Sequence, residues 1–127
     1  MSTTAPTVTR VTSTIPRLSR GDELTPEYLT DEAQAMFEAM WRGDLGGFTE
    51  SRVRASLAEH EQDLALVRAG RKSPRKVLGP YVEGKGIKAE AVRVLEVFIA
   101  EAREDIETRG QSNTVNRANV RYHLIRS

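Results

Sequence analysis

Apolar positions recur along the chain in three blocks at helical spacing. The first carries Leu29, Ala33, Met36, Phe37, Met40 and Trp41 on one stripe, which predicts a helix over about 26–42. Two starts fit its N-terminus: Thr25 as cap with Pro26 at the first helical position, or Thr30 as cap with Asp31 and Glu32 in the first turn. Gly43 and the pair Gly46-Gly47 stop it. The second block opens at Thr49 as cap, with Phe48 placed to staple onto Val53. Its stripe of Val53, Leu57, His60, Leu64 and Val67 alternates steps of four and three, a narrow coiled-coil-like seam that predicts a helix over 49–69 ending at Gly70. The third block predicts a helix over 87–108, with Ile87, Ala91, Val94 or Leu95, Phe98, Ala102 and Ile106 facing inward. Its run "AVRVLEVFIA" is β-branched enough for a strand, but neither Gly nor Pro occurs between Ile87 and Arg109, and strands rarely run so long. Its wide apolar face predicts a central helix, or one that buries a second face in an oligomer. Helices two and three are expected to form an antiparallel hairpin.

The rest of the chain is polar. Residues 1–24 read as an extended or flexible arm: "TVTRVTSTI" favours extended backbone but is too polar to make a core, so the arm is either disordered or ordered by adding to a neighbouring sheet or subunit. Residues 71–86 read as a basic loop pinned by Val77, Leu78, Tyr81 and Val82. Residues 111–127 read as an extended tail, because in "RANVRYHLI" Ala118, Val120, Tyr122 and Leu124 alternate with Asn119, Arg121 and His123 as in a half-buried strand. The expected fold class is mainly α: a three-helix body within a helical domain 25–110, flanked by an extended arm and a strand-like tail.

With 127 residues and 39% hydrophobic content, the chain suffices for one modest core. It has no cysteine, which excludes disulfides, thiol catalysis and thiolate metal sites. The net charge of +1 points to no partner, but its distribution does. Residues 21–50 hold eight acids against Arg42 alone, whereas residues 68–88 hold Arg68, Arg71, Lys72, Arg75, Lys76, Lys85 and Lys88 against Glu83. Such asymmetry steers an anionic partner, or joins one subunit's acidic face to another's basic one. No apolar stretch approaches the ~20 residues of a membrane span, and the N-terminus lacks the apolar segment of a signal peptide, so a cytoplasmic or virion setting without membrane contact is expected.

"GPYVEGKG" (79–86) has the glycine-lysine frame of a phosphate-binding loop, but Gly86 stands where the hydroxyl that holds magnesium is required. Pro80 removes a donor and Glu83 sits inside the anion cradle, so the stretch reads as punctuation before helix three. Lys85 and Lys88 lie near that helix's positive end, a placement that makes sense if an anion lands there. "RKSPRK" (71–76) is the densest basic run and is suited to phosphate contact without base readout. The acids form no distinct pair, and the two histidines, His60 and His123, are far apart. No catalytic residue, metal or cofactor is therefore expected.

The function expected is a non-enzymatic, homo-oligomeric assembly protein with a basic nucleic-acid-facing loop, of the kind found among phage and virion structural, connector and DNA-packaging subunits. Its nucleic-acid-binding set is Arg71, Lys72, Arg75, Lys76, Lys85 and Lys88. Its interface set is Val53, Leu57, His60, Leu64, Trp41 and Tyr122. The alternative is a small DNA-binding regulator, with helices one and two as a variant helix-turn-helix, although "GDLGGF" is long for that turn.

Overall fold

Both expected starts of the first helix are used. Pro26–Leu29 forms a 3-10 turn opened by Thr25, and helix α1 (Asp31–Arg42) follows at once. The Thr30 Oγ1 accepts the Ala33 backbone N–H at 3.1 Å, satisfying one of the donors a helix start leaves open. At the other end Gly43 adopts φ 99°, and the N–H groups of Gly43 and Asp44 return to the carbonyls of Met40 (3.0 Å) and Ala39 (2.8 Å). This closing pattern needs a left-handed residue, which glycine adopts without a Cβ clash. The structure, a computed structural model, describes residues 18–79 and 86–126. Its further helices are α2 (Glu50–Arg68), the short α3 (Pro74–Leu78), α4 (Ile87–Glu107) and α5 (Thr114–Arg126). Among the described residues there is no strand, and no helix is long and apolar enough to cross a membrane.

The chain divides into two compact units, one running to Glu50 and resuming at Glu107, the other spanning Ser51–Ile106. In the first, Tyr28, Ala33, Phe37, Met40 and Val120 form a buried cluster, with Leu18, Leu24, Met36, Leu124 and Ile125 packed against it. The Tyr28 and Phe37 rings lie 6.4 Å apart. Burying side chains of this size contributes about 1.5–3 kcal/mol each, so α1 and α5 are held chiefly by this cluster. Leu29, expected on the inner stripe, is instead 58% exposed. The 3-10 turn rotates it outward and buries its neighbour Tyr28.

The tail differs most from expectation. Residues 114–126 form a helix, not a strand. Asn113, Asn116, Arg117 and Val120 are buried at helical steps, so the inward period is carried largely by polar residues. The Asn113 Oδ1 accepts the N–H groups of Val115 (2.9 Å) and Asn116 (3.1 Å), which starts the helix. Asn116 binds the loop before α2: its Oδ1 accepts the Phe48 N–H at 2.8 Å, and its Nδ2 donates to the Phe48 carbonyl at 3.0 Å. Arg117 is 5% exposed, and its guanidinium donates to the carbonyls of Gln111 (2.6 Å), Asp22 (2.8 Å) and Ser19. Three carbonyl partners satisfy a charge that would otherwise be costly to bury. In the described end of the arm, residues 19–22 close a turn, with the Asp22 N–H on the Ser19 carbonyl at 3.1 Å, and no strand forms over 18–24. The expected extension of residues 1–17 lies outside the described residues.

In the second unit, α2 and α4 pack antiparallel, as expected. Arg103 pairs with Glu61 at 2.7 Å, Arg68 pairs with Glu96 at 2.9 Å, and Lys88 reaches the Arg68 carbonyl at 3.2 Å, so positions rise along one helix as they fall along the other. Val67, Ala91 and Leu95 form the core, flanked by Leu64, Val77, Leu78 and Val92. The expected inward residue Phe98 is 42% exposed, and Ile99 is buried in its place. The four apolar residues Val97–Ala100 do not by themselves fix which of two neighbours faces in.

Candidate functional site

The basic run 71–76 is not a free loop. Ser73 caps α3 and Pro74 occupies its first turn, so the Ser-Pro pair has a backbone role. The Ser73 Oγ accepts the Arg75 N–H at 3.3 Å, and Val77 and Leu78 anchor the short helix on the core. Of the six expected nucleic-acid contacts, Lys72 is half-buried with its Nζ 2.7 Å from Asp63 Oδ1. Lys88 donates to a carbonyl in the last turn of α2, at that helix's negative end. That bond accounts for the placement of Lys88 without an incoming anion. Lys85 lies outside the described residues, as does most of the glycine-lysine stretch. Arg71, Arg75 and Lys76 are exposed, the latter two on α3 and Arg71 two residues before its cap.

The expected interface set separates by burial. Val53 and Trp41 are buried, at 4% and 2% exposure, and belong to the chain's own cores. Leu57 and Leu64 are half-buried, Leu64 against the second unit's core. Tyr122 is 54% exposed on α5, with the Arg126 guanidinium 5.3 Å above its ring and His123 at its edge. His60 stacks on Phe98 at 5.2 Å, and its Nδ1 is buried with no hydrogen-bond partner among the described residues.

A surface that the seam on helix two did not indicate lies on α4. Val97 and Phe98 are each 42% exposed, with half-buried Val94 one turn earlier on the same face. The signal was present in the sequence as the excess width of the third apolar stripe. The stripe beside it, made by Ala91, Leu95 and Ala102 and centred about a quarter-turn away, is buried. Such an arrangement gives one helix two apolar sides, of which the fold uses one.

Most charges elsewhere are tied locally. Arg109 forks onto Glu38 with bonds of 3.0 and 2.9 Å, and that hydrogen bonding holds the Glu38 carboxyl below its ordinary range. Hydrogen bonding from Arg93 lowers Glu90 in the same way. Among the described residues no three His, Asp or Glu side chains converge where they would hold a metal ion. No protein-family model matches the chain, and neither a curated protein nor a solved structure does.

Proposed function

We propose that the protein is a non-enzymatic assembly subunit that associates with copies of itself and presents the Arg71–Arg75–Lys76 turn to nucleic acid phosphates. One observation carries the reading: the side-by-side exposure of Val97 and Phe98 on α4, flanked by Val94 and backed by the His60 ring. Single exposed apolar residues are ordinary, but a contiguous patch of large ones on a helix face marks an interaction surface. An aromatic at its centre supplies the anchor typical of protein interfaces. The basic turn adds a second surface on the same unit, where a sequence-independent phosphate contact needs only exposed cations.

The test is Phe98→Ser, examined by size-exclusion chromatography with light scattering. Phe98 is already half outside the core, so the variant is expected to keep its helical circular dichroism while self-association weakens at least tenfold. Unchanged association with an intact fold removes this face from the proposal.

A further inference from the structure

Along one flank of the α2–α4 pair runs a groove of about 460 Å³. Leu64 and Ile99 form its floor, and the small side chains of Ala65 and Ala100 line it. Four charged residues stand around it in alternating sign. Glu61 on α2 faces Arg103 on α4 at 2.7 Å, and two turns along, Arg68 on α2 faces Glu96 on α4 at 2.9 Å. Each helix thus carries one acid and one base, and each end of the groove does too. All four side chains remain between 45% and 64% exposed. Pairs this open to water add little to the stability of their own chain.

The pattern has a geometric property that points outward. Rotating a four-cornered arrangement of alternating charges by a half-turn about an in-plane axis, along the helices or across them, brings every acid over a base. Glu61 meets either Arg68 or Arg103 of the copy, and Glu96 meets the other. A surface of this kind complements itself, which is the condition for a two-fold interface. Alanines at the centre let facing helices approach closely over an apolar floor. On α4 this groove and the Val97–Phe98 patch lie on opposite flanks of the buried stripe, so both surfaces are available at once.

We infer that the groove seats the same groove of a second copy of this chain, the two tetrads interleaving around Ala65 and Ala100. This names the partner and the contact for one interface of the self-association proposed above, and rests on that reading. The test inverts all four charges together, in the variant Glu61→Arg/Arg68→Glu/Glu96→Arg/Arg103→Glu. Each pair within the chain survives, with its members exchanged, so the fold is kept. The inverted surface also complements itself, so the variant is expected to self-associate with an affinity within about threefold of the original chain. Against the original chain, however, every corner meets a like charge. With Phe98→Ser also present in both chains, so that the other face does not link them, differently labelled original and inverted chains are therefore expected to show less than about a tenth of the energy transfer seen between two samples of uninverted charge. A second variant, Ala100→Arg, fills the exposed centre without touching the core, and is expected to weaken association at least tenfold. Free mixing of original and inverted chains, or association unaffected by Ala100→Arg, overturns the inference. If either occurs while Phe98→Ser still dissociates the protein, the assembly reading stands and only this interface falls; a chain that does not self-associate at all removes both.

Discussion

Gly46 and Gly47 are neighbours in one loop, with nearly the same backbone (φ 75° and 84°) and different surroundings. A Cβ on Gly46 meets nothing within 4 Å, whereas one on Gly47 lands 2.6 Å from Asn116 Oδ1 and 3.2 Å from Asn119 Nδ2. Gly46→Ala therefore incurs only the penalty of a left-handed L-residue, about 1 kcal/mol. Gly47→Ala adds the displacement of Asn116, which is 1% exposed and bonded to both the N–H and the carbonyl of Phe48. Losing two such bonds at about 1 kcal/mol each brings the expected cost to roughly 3 kcal/mol. For a chain of this length that separates the two melting temperatures by roughly 6–10 °C. Trp41, the sole tryptophan, is buried in the same unit as both glycines and reports its unfolding by fluorescence. The melts are compared at one protein concentration, since self-association makes the midpoint concentration-dependent. Equal losses for the two variants would falsify the tight seating of the loop on Asn116. Gly110 approaches the same side chain, with a Cβ position 2.7 Å from Asn116 Nδ2, so Gly110→Ala is expected to behave like Gly47→Ala.

Arg117→Met leaves the carbonyls of Gln111, Asp22 and Ser19 without their donor, and is expected to cost about 2–4 kcal/mol and to open tryptic cleavage after Arg20; an unchanged digestion pattern contradicts the clamp. The Glu38 carboxyl is lowered in the folded chain, so its contribution is present above the ordinary glutamate value of 4.5 and is lost as pH falls through the folded value. The melting difference between the original chain and Glu38→Gln should accordingly be present at neutral pH and close in acid; a difference that is constant with pH refutes the pairing with Arg109. Binding of duplex DNA should show a log–log salt slope of about −3 for three phosphate contacts, and lose it in Arg71→Ala/Arg75→Ala/Lys76→Ala; a slope unchanged in that variant rejects the basic turn. His60→Leu removes a buried nitrogen that lacks a partner, so it should leave stability within about 1 kcal/mol of the original or raise it, as read by urea melts.

The helices with apolar stripes and capping residues were legible in the sequence to within a residue or two. Thr30, Gly43 and Gly70 announce backbone geometry directly, and the α2–α4 hairpin followed from two long stripes joined by one polar, basic stretch. The tail was not legible, because α5 turns Asn113, Asn116 and Arg117 inward, and a search for apolar periods passes over buried polar residues whose partners lie far away in sequence. Arg117 reaches Ser19, 98 positions distant, and Asn116 reaches Phe48, 68 distant. In α4 the continuous apolar run Val97–Ala100 left the inward face ambiguous, and Phe98 and Ile99 exchanged roles as a result. The charge tetrad lay beyond sequence reasoning for the same reason: its pairs span 42 and 28 residues, and only the antiparallel packing brings them into one groove.

Self-association is the claim on which the functional account depends, and sedimentation velocity of the unmodified chain across a hundredfold concentration range tests it most directly. A self-associating chain gives a sedimentation coefficient that climbs with concentration from the 14.2 kDa monomer toward at least a dimer. A single monomer boundary throughout that range at physiological salt contradicts it.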